Sequence, residues 1–201
     1  MNEPKTSTVA IILLAAGKSE RMGQNKLLLP FGEQLVIQRT LDNLMASRAQ
    51  KIIVVLGSKA AEIGDAIASR DVVAVFNPDY AQGMNTSLAT GLNVIEKHVK
   101  YVLVALGDQP LIKTQTYDVL IAASQNPSKG MLVPTYKGLR GNPILVSTRY
   151  RDDLLNQSGD IGGRELLRTY PDDVLEVPVK DEGIIINLNT KAEYEKHLKS
   201  C

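Results

Sequence analysis

Three cations fall within nine positions directly behind one apolar run, in the stretch Leu14-Ala15-Ala16-Gly17-Lys18-Ser19-Glu20-Arg21-Met22-Gly23-Gln24-Asn25-Lys26-Leu27. Small residues at the exit of a strand let backbone N–H groups come close to a ligand, and Lys18, Arg21 and Lys26 bring charge for several phosphate oxygens. A triphosphate needs that combination. Gly17-Lys18-Ser19 imitates the end of a P-loop, but that motif requires glycine five residues earlier, and position 12 is Ile12. No G-x-G-x-x-G follows the run either, which counts against a dinucleotide fold of the Rossmann type. A second signal is Gly107-Asp108-Gln109-Pro110, which follows the apolar run Tyr101–Leu106. Asp108 can hold Mg2+, a cation that keeps several waters and takes one or two carboxylates together with substrate phosphates. Aspartate in a turn before proline is also ordinary turn chemistry. The functional reading gains weight because the cations and the carboxylate both leave the ends of strands.

Those side chains need a frame that brings them together. Runs rich in Val, Ile and Leu recur at Val9–Leu14, Ile52–Leu56, Val72–Phe76 and Tyr101–Leu106. None alternates as a strand with one wet face does, so strands covered on both sides are expected. Helical spacing lies between them: Ile37, Leu41 and Leu44, then Ile63 and Ile67, then Leu88, Leu92, Ile95 and Val99. Ser58 and Thr114 stand where N-caps belong, and Thr190 with Glu193 reads as a capping box. The order β-α-β-α-β-α-β predicts an α/β fold with a mostly parallel, doubly wound sheet, whose ligands collect at the carboxyl ends of the strands. After Gln125 the pattern turns irregular. Short strands are expected at Met131–Pro134, Ile144–Ser147, Val174–Pro178 and Gly183–Ile186, as a mixed half that covers one side of the site. No linker, charge block or repeat divides the chain, so a single domain over residues 1–201 is expected, with a regular half (1–125) and a mixed half (126–201).

Composition narrows the function classes. A chain of 201 residues with 44% hydrophobic and 22% charged residues has the makeup of a globular domain able to bury a full core. With 23 basic against 22 acidic residues, the net charge of +1 gives no footprint for nucleic acid or an anionic membrane. No apolar run has the length of a membrane span, and the run after Val9 reads as a buried strand rather than a signal core, because Glu3 stands beside Lys5 in the leader. Cys201 is the single cysteine, so no internal disulfide can form and a cytoplasmic location is expected. His98 and His197 are too few and too far apart in sequence for a metal cluster.

The N-terminal stretch resembles the L-A-[AG]-G-x-x-x-R-M-G-x-x-K signature of the MobA-like nucleotidyltransferases. Asn77-Pro78-Asp79-Tyr80-Ala81-Gln82-Gly83-Met84, Gly107-Asp108-Gln109-Pro110, Arg140-Gly141-Asn142-Pro143 and Gly159-Asp160-Ile161-Gly162-Gly163-Arg164 are similar to motifs of the molybdenum-cofactor cytidylyltransferase branch. The resemblance implies a Rossmann-like domain of the GT-A type, with a mostly parallel sheet sandwiched by helices. It also implies an activity: CMP passes from CTP to the phosphate of molybdopterin, pyrophosphate leaves, and Mg2+ is the cofactor. By the same resemblance Leu14, Ala15, Ala16 and Gly17 line the nucleotide, Asp79 and Ser87 contact it, and Lys26 and Arg21 bind the triphosphate. Asp108 carries the metal, while Arg140, Asn142 and Arg164 cradle the acceptor. Ala16, where the guanylyltransferase branch usually has glycine, favours CTP over GTP.

One departure matters. Asn187-Leu188-Asn189-Thr190 stands where many relatives show Asp-Ile-Asp-Thr, which leaves Asp108 as the main carboxylate. An amide oxygen can still coordinate Mg2+, directly or through water, without neutralising charge. The implied partners are CTP, molybdopterin and a recipient molybdoenzyme. The alternatives are a guanylyltransferase, a cytidylyl- or uridylyltransferase acting on a sugar or polyol phosphate, and a non-catalytic cofactor carrier.

Overall fold

The computed structural model describes residues 9–19, 22–125, 128–156 and 163–198. The first part of the chain forms β1 (Val9–Ala15), a small hairpin of β2 (Pro30–Phe31) and β3 (Gln34–Leu35), α1 (Val36–Met45), β4 (Lys51–Leu56), α2 (Ala60–Ile67), β5 (Val73–Phe76), α3 (Met84–Asn93), β6 (Tyr101–Leu106) and α4 (Thr114–Ala123). The remainder forms β7 (Met131–Tyr136), β8 (Leu139–Arg140), β9 (Ile144–Ser147), α5 (Arg151–Asn156), α6 (Arg164–Thr169), β10 (Val174–Pro178) and α7 (Lys191–Leu198).

One sheet runs through both halves in the order β10-β7-β9-β6-β1-β4-β5, with β8 folded back on β7. β1 pairs in parallel with β4 and β6, and β5 continues the parallel set beyond β4. β9 runs antiparallel to both β6 and β7, and β10 returns parallel to β7. The reversal at β9 decides what reaches the site. Ile144 at its start sits opposite Val104 near the end of β6, so the residues just before β9 arrive at the edge where the parallel strands finish.

Helices cover both faces. Val9, Ile11 and Leu13 of β1 pack with Ile37 and Leu41 of α1, Ile63 of α2 and Tyr117 and Leu120 of α4. Ala10, Ile12 and Leu14 pack on the opposite face with Leu88 and Leu92 of α3, Leu154 of α5 and Leu166 of α6. Burial on both faces is why β1, β4 and β6 read as unbroken apolar runs. Burial also pushes the Tyr117 hydroxyl well above its ordinary pKa, so that it stays neutral.

Several local expectations are corrected. β5 is apolar but largely exposed, because it is the edge strand, and its run carries no mark of that position. Gly183–Ile186 is not a strand: Glu182–Ile185 forms a 3-10 turn. The N-cap position of α2 falls on Lys59, which has a left-handed φ of 59°, and not on Ser58. Thr114 lies inside α4, where its hydroxyl donates to the Asn43 carbonyl at 3.0 Å. α3 ends at Asn93, so Ile95 and Val99 come from the turn beyond it. The Thr190–Glu193 capping box is present: Thr190 N donates to Glu193 Oε2 at 2.9 Å, and Glu193 N to Thr190 Oγ1 at 3.2 Å. No helix among the described residues is long and apolar enough to cross a membrane.

Candidate active site

β1 and β6 finish side by side, with Leu14 opposite Leu106 and Gly107 N donating to the Leu14 carbonyl at 3.0 Å. The loop after β1 then folds back on itself. Ser19 takes a left-handed φ of 56°, and its hydroxyl oxygen accepts the Lys26 N–H at 3.2 Å. Asn25 caps the short 3-10 turn Lys26–Leu28 by accepting Leu27 N at 3.0 Å, while the Leu27 side chain is buried in the core. Fixed at both ends, Lys26 sends its ammonium across to β6. Nζ donates to Asp108 Oδ2 and to Asn189 Oδ1, the latter at 2.9 Å.

Asn189 is delivered by a strap tied along its length. Asp181 anchors it at α4, accepting Lys113 N at 2.9 Å and the Thr116 hydroxyl at 2.6 Å on one carboxylate oxygen, and Gly183 N at 3.0 Å on the other. Asn142 N donates to Ile184 O at 2.9 Å, Gln109 Nε2 to Ile186 O at 3.2 Å and Leu188 N to Asp108 O at 3.3 Å. Gly141 is needed at this crossing, since a Cβ there would lie 2.4 Å from the Ile184 carbonyl oxygen.

Above this floor opens a cavity of about 850 Å³. Leu14, Ala15, Ala16, Gly17, Lys26, Ser87, Asp108, Asn142 and Arg164, all expected in the site, line it together. The Ser87 hydroxyl oxygen accepts Asn77 Nδ2 at 2.9 Å, which fixes the start of α3. Two expected residues stand elsewhere. Asp79 accepts Gln82 Nε2 at 2.7 Å in the turn before α3 and does not line the cavity. Arg140 lies on β8, where its Nε donates to Glu176 Oε1 of β10 at 2.8 Å, again off the cavity wall. Arg21 and Gly159–Gly162 fall outside the described residues. The sequence reading missed Arg168, which lines the cavity from α6. Arg164 and Arg168 are four apart, a spacing that puts both on one helix face, and the packing of α6 on the sheet turns that face to the cavity.

The oxygen donors suit a hard divalent cation. Asp108 offers a carboxylate and Asn189 an amide oxygen, while Asn187, also on the cavity wall, has a buried Oδ1 with no hydrogen-bond partner among the described residues. Among the described residues no three His, Cys, Asp or Glu side chains gather as a metal cage. A site with one carboxylate and amides leaves coordination positions for phosphate and water, which is how Mg2+ is commonly held.

The family model described as MobA-like NTP transferase domain matches residues 11–174. The molybdenum cofactor cytidylyltransferase of Escherichia coli (strain K12) is 27% identical, with 94% of each chain aligned. A probable molybdenum cofactor guanylyltransferase of Carboxydothermus hydrogenoformans is 28% identical over 95% of each chain. Among solved structures, that of Rv0371C in complex with manganese, from Mycobacterium tuberculosis H37Rv, superposes with a TM-score of 0.83 at 25% identity, covering 96% of this chain and 99% of that one.

Proposed function

The chain belongs to the MobA-like NTP transferase family, and on that premise we propose that it transfers CMP from CTP to the terminal phosphate of molybdopterin. The observation that carries this reading is the Lys26–Asp108–Asn189 cluster on the floor of a cavity that also receives Asn142 and Arg164 from the second half of the chain. One wall suits a triphosphate and the other an acceptor. The likeness to the cytidylyltransferase of E. coli supports the choice of nucleotide and acceptor, as does Ala16 at the strand exit.

In the proposed step an oxygen of the acceptor phosphate bonds to the α-phosphorus, the bond to the bridging oxygen breaks, and pyrophosphate leaves with the electron pair. The nucleophile is already anionic near neutral pH, so the chain has no proton to remove. The cavity wall accordingly works without histidine. Rate comes from positioning and from charge placed where the departing oxygens gather it. Ala15, Ala16 and Gly17 let the nucleotide approach the main chain closely, and Lys26 neutralises the α-phosphate and pyrophosphate oxygens. Asp108, Asn187 and Asn189 would hold a divalent cation. Such an ion supplies positive charge to the phosphate oxygens. The manganese in the Rv0371C structure supports a divalent metal in this fold.

A second reading is GTP in place of CTP, favoured by the comparable identity to the probable guanylyltransferase. Pyrophosphate release with molybdopterin and Mg2+, compared for CTP, GTP, ATP and UTP at equal concentration, separates the two. Release with CTP alone is expected. Release with GTP alone would keep the chemistry and change the nucleotide, while silence with all four would overturn the reading in favour of a sugar-phosphate acceptor or a cofactor carrier.

A further inference from the structure

We propose that Arg164 and Arg168, braced by Asn142, form a second anion site in the cavity, separate from Lys26, and that this site takes the phosphate monoester of the acceptor. The inference rests on the nucleotidyl-transfer reading and adds to it a residue, Arg168, and a charge class for the group bound. Both arginines line the cavity from one face of α6, a helical turn apart. Guanidinium groups match phosphate oxygens with paired N–H donors, a geometry a single lysine cannot offer.

The charge of these two groups is held ready rather than consumed. Among the described residues Arg164 meets no carboxylate within ion-pair reach; its Nη2 donates to the neutral Asn142 Oδ1 at 3.3 Å. Among the described residues Arg168 has one ion-pair contact, an exposed one to Glu165 a helical turn away at 3.7 Å, of a kind that contributes little. Arg140, which the resemblance implied for this role, reaches Glu176 of β10 and does not line the cavity. Asn142 adds an independent observation. It is 4% exposed, and the bond from Arg164 fixes which end of its amide is oxygen, yet its Nδ2 has no hydrogen-bond partner among the described residues. A buried donor left unpaired is unfavourable, so its acceptor is expected to arrive with a ligand.

Strand order brings the supports of the two anion sites to the cavity from different strands. Lys26 belongs to the loop after β1 and Asn142 precedes β9, with β6 and its Asp108 between them. In-line transfer needs the entering oxygen and the departing pyrophosphate on opposite sides of the α-phosphorus. Triphosphate against Lys26 and acceptor phosphate against Arg164 and Arg168 satisfies that requirement, with the reaction over Asp108.

The test separates acceptor binding from donor binding in the intact chain. For Arg164→Ala and Arg168→Ala, the KM for molybdopterin at saturating CTP and Mg2+ is expected to rise about tenfold or more, with CTP affinity by calorimetry within about twofold of wild type. Arg164→Lys is expected to recover only part of the loss, because it keeps charge without the paired donors. An unchanged acceptor KM in both alanine variants, or an equal weakening of CTP, overturns the proposal. Inorganic phosphate titrated into CTP-saturated protein provides a readout that does not depend on turnover. If the wild type binds phosphate and the Arg164→Ala/Arg168→Ala double variant does not, the anion site stands even where transfer to molybdopterin fails. Equal phosphate binding, or none to the wild type, removes the site.

Discussion

Lys26 and Asp108, 82 positions apart in sequence, share a hydrogen bond on the cavity floor, and Asn189, 163 positions from Lys26, accepts from the same ammonium. Both partners of the ion pair are largely shielded, at 18% and 12% side-chain exposure. Lys26→Ala and Asp108→Ala are each expected to lower turnover by at least about 100-fold, the scale of losing one preorganised charge partner. Circular dichroism and thermal unfolding would confirm that the variants are folded. Near-normal turnover in folded protein would remove these residues from the chemistry.

Asn189 stands where a second carboxylate would make a more conventional metal site. Asn189→Asp keeps the shape and adds a charge beside Asp108 and Lys26. Affinity for divalent cations follows ligand charge, so Mn2+ should bind about tenfold more tightly, as read by titration monitored through its electron paramagnetic resonance. An unchanged Mn2+ affinity would place Asn189 out of the ion's reach.

Asp181 is 4% exposed and accepts three hydrogen bonds, from Lys113 N, Thr116 Oγ1 and Gly183 N. It joins the start of α4 to the strap that delivers Asn187 and Asn189. Asp181→Ala leaves those donors unpaired and should cost about 2–4 kcal/mol in urea unfolding. Loss of less than ~1 kcal/mol would mean the strap is held by its backbone bonds alone.

Asp42 gives a pH signature remote from the site. A hydrogen bond from Arg70 holds its carboxyl below the ordinary 3.8, against the opposing effect of burial and with help from Gln34. A depressed folded pKa means that the contribution to stability is present above about pH 3.8 and fades as pH falls through the lowered value. Asp42→Asn should therefore be less stable than wild type at pH 6, with a smaller difference at pH 3. A difference that stays constant between the two pH values would show that the ionised carboxylate is not what matters.

The sequence by itself determined the strands that are buried on both faces, because that burial is written locally as unbroken apolar runs at β1, β4 and β6. The same holds for the Thr190–Glu193 box, whose partners are three residues apart. Lys26 and Asp108 were also legible, since parallel order alone sends both to the same sheet edge. What lay beyond the sequence was position within the sheet. Nothing in Val73–Phe76 marks it as the edge strand, and nothing in Arg140 shows that it faces Glu176 while Arg168 faces the cavity. These outcomes follow from the reversed β9 and from the packing of α6 on one face of the sheet. Strand order and helix sidedness are settled by contacts between residues far apart in the chain, so only the tertiary structure decided which cations surround the site.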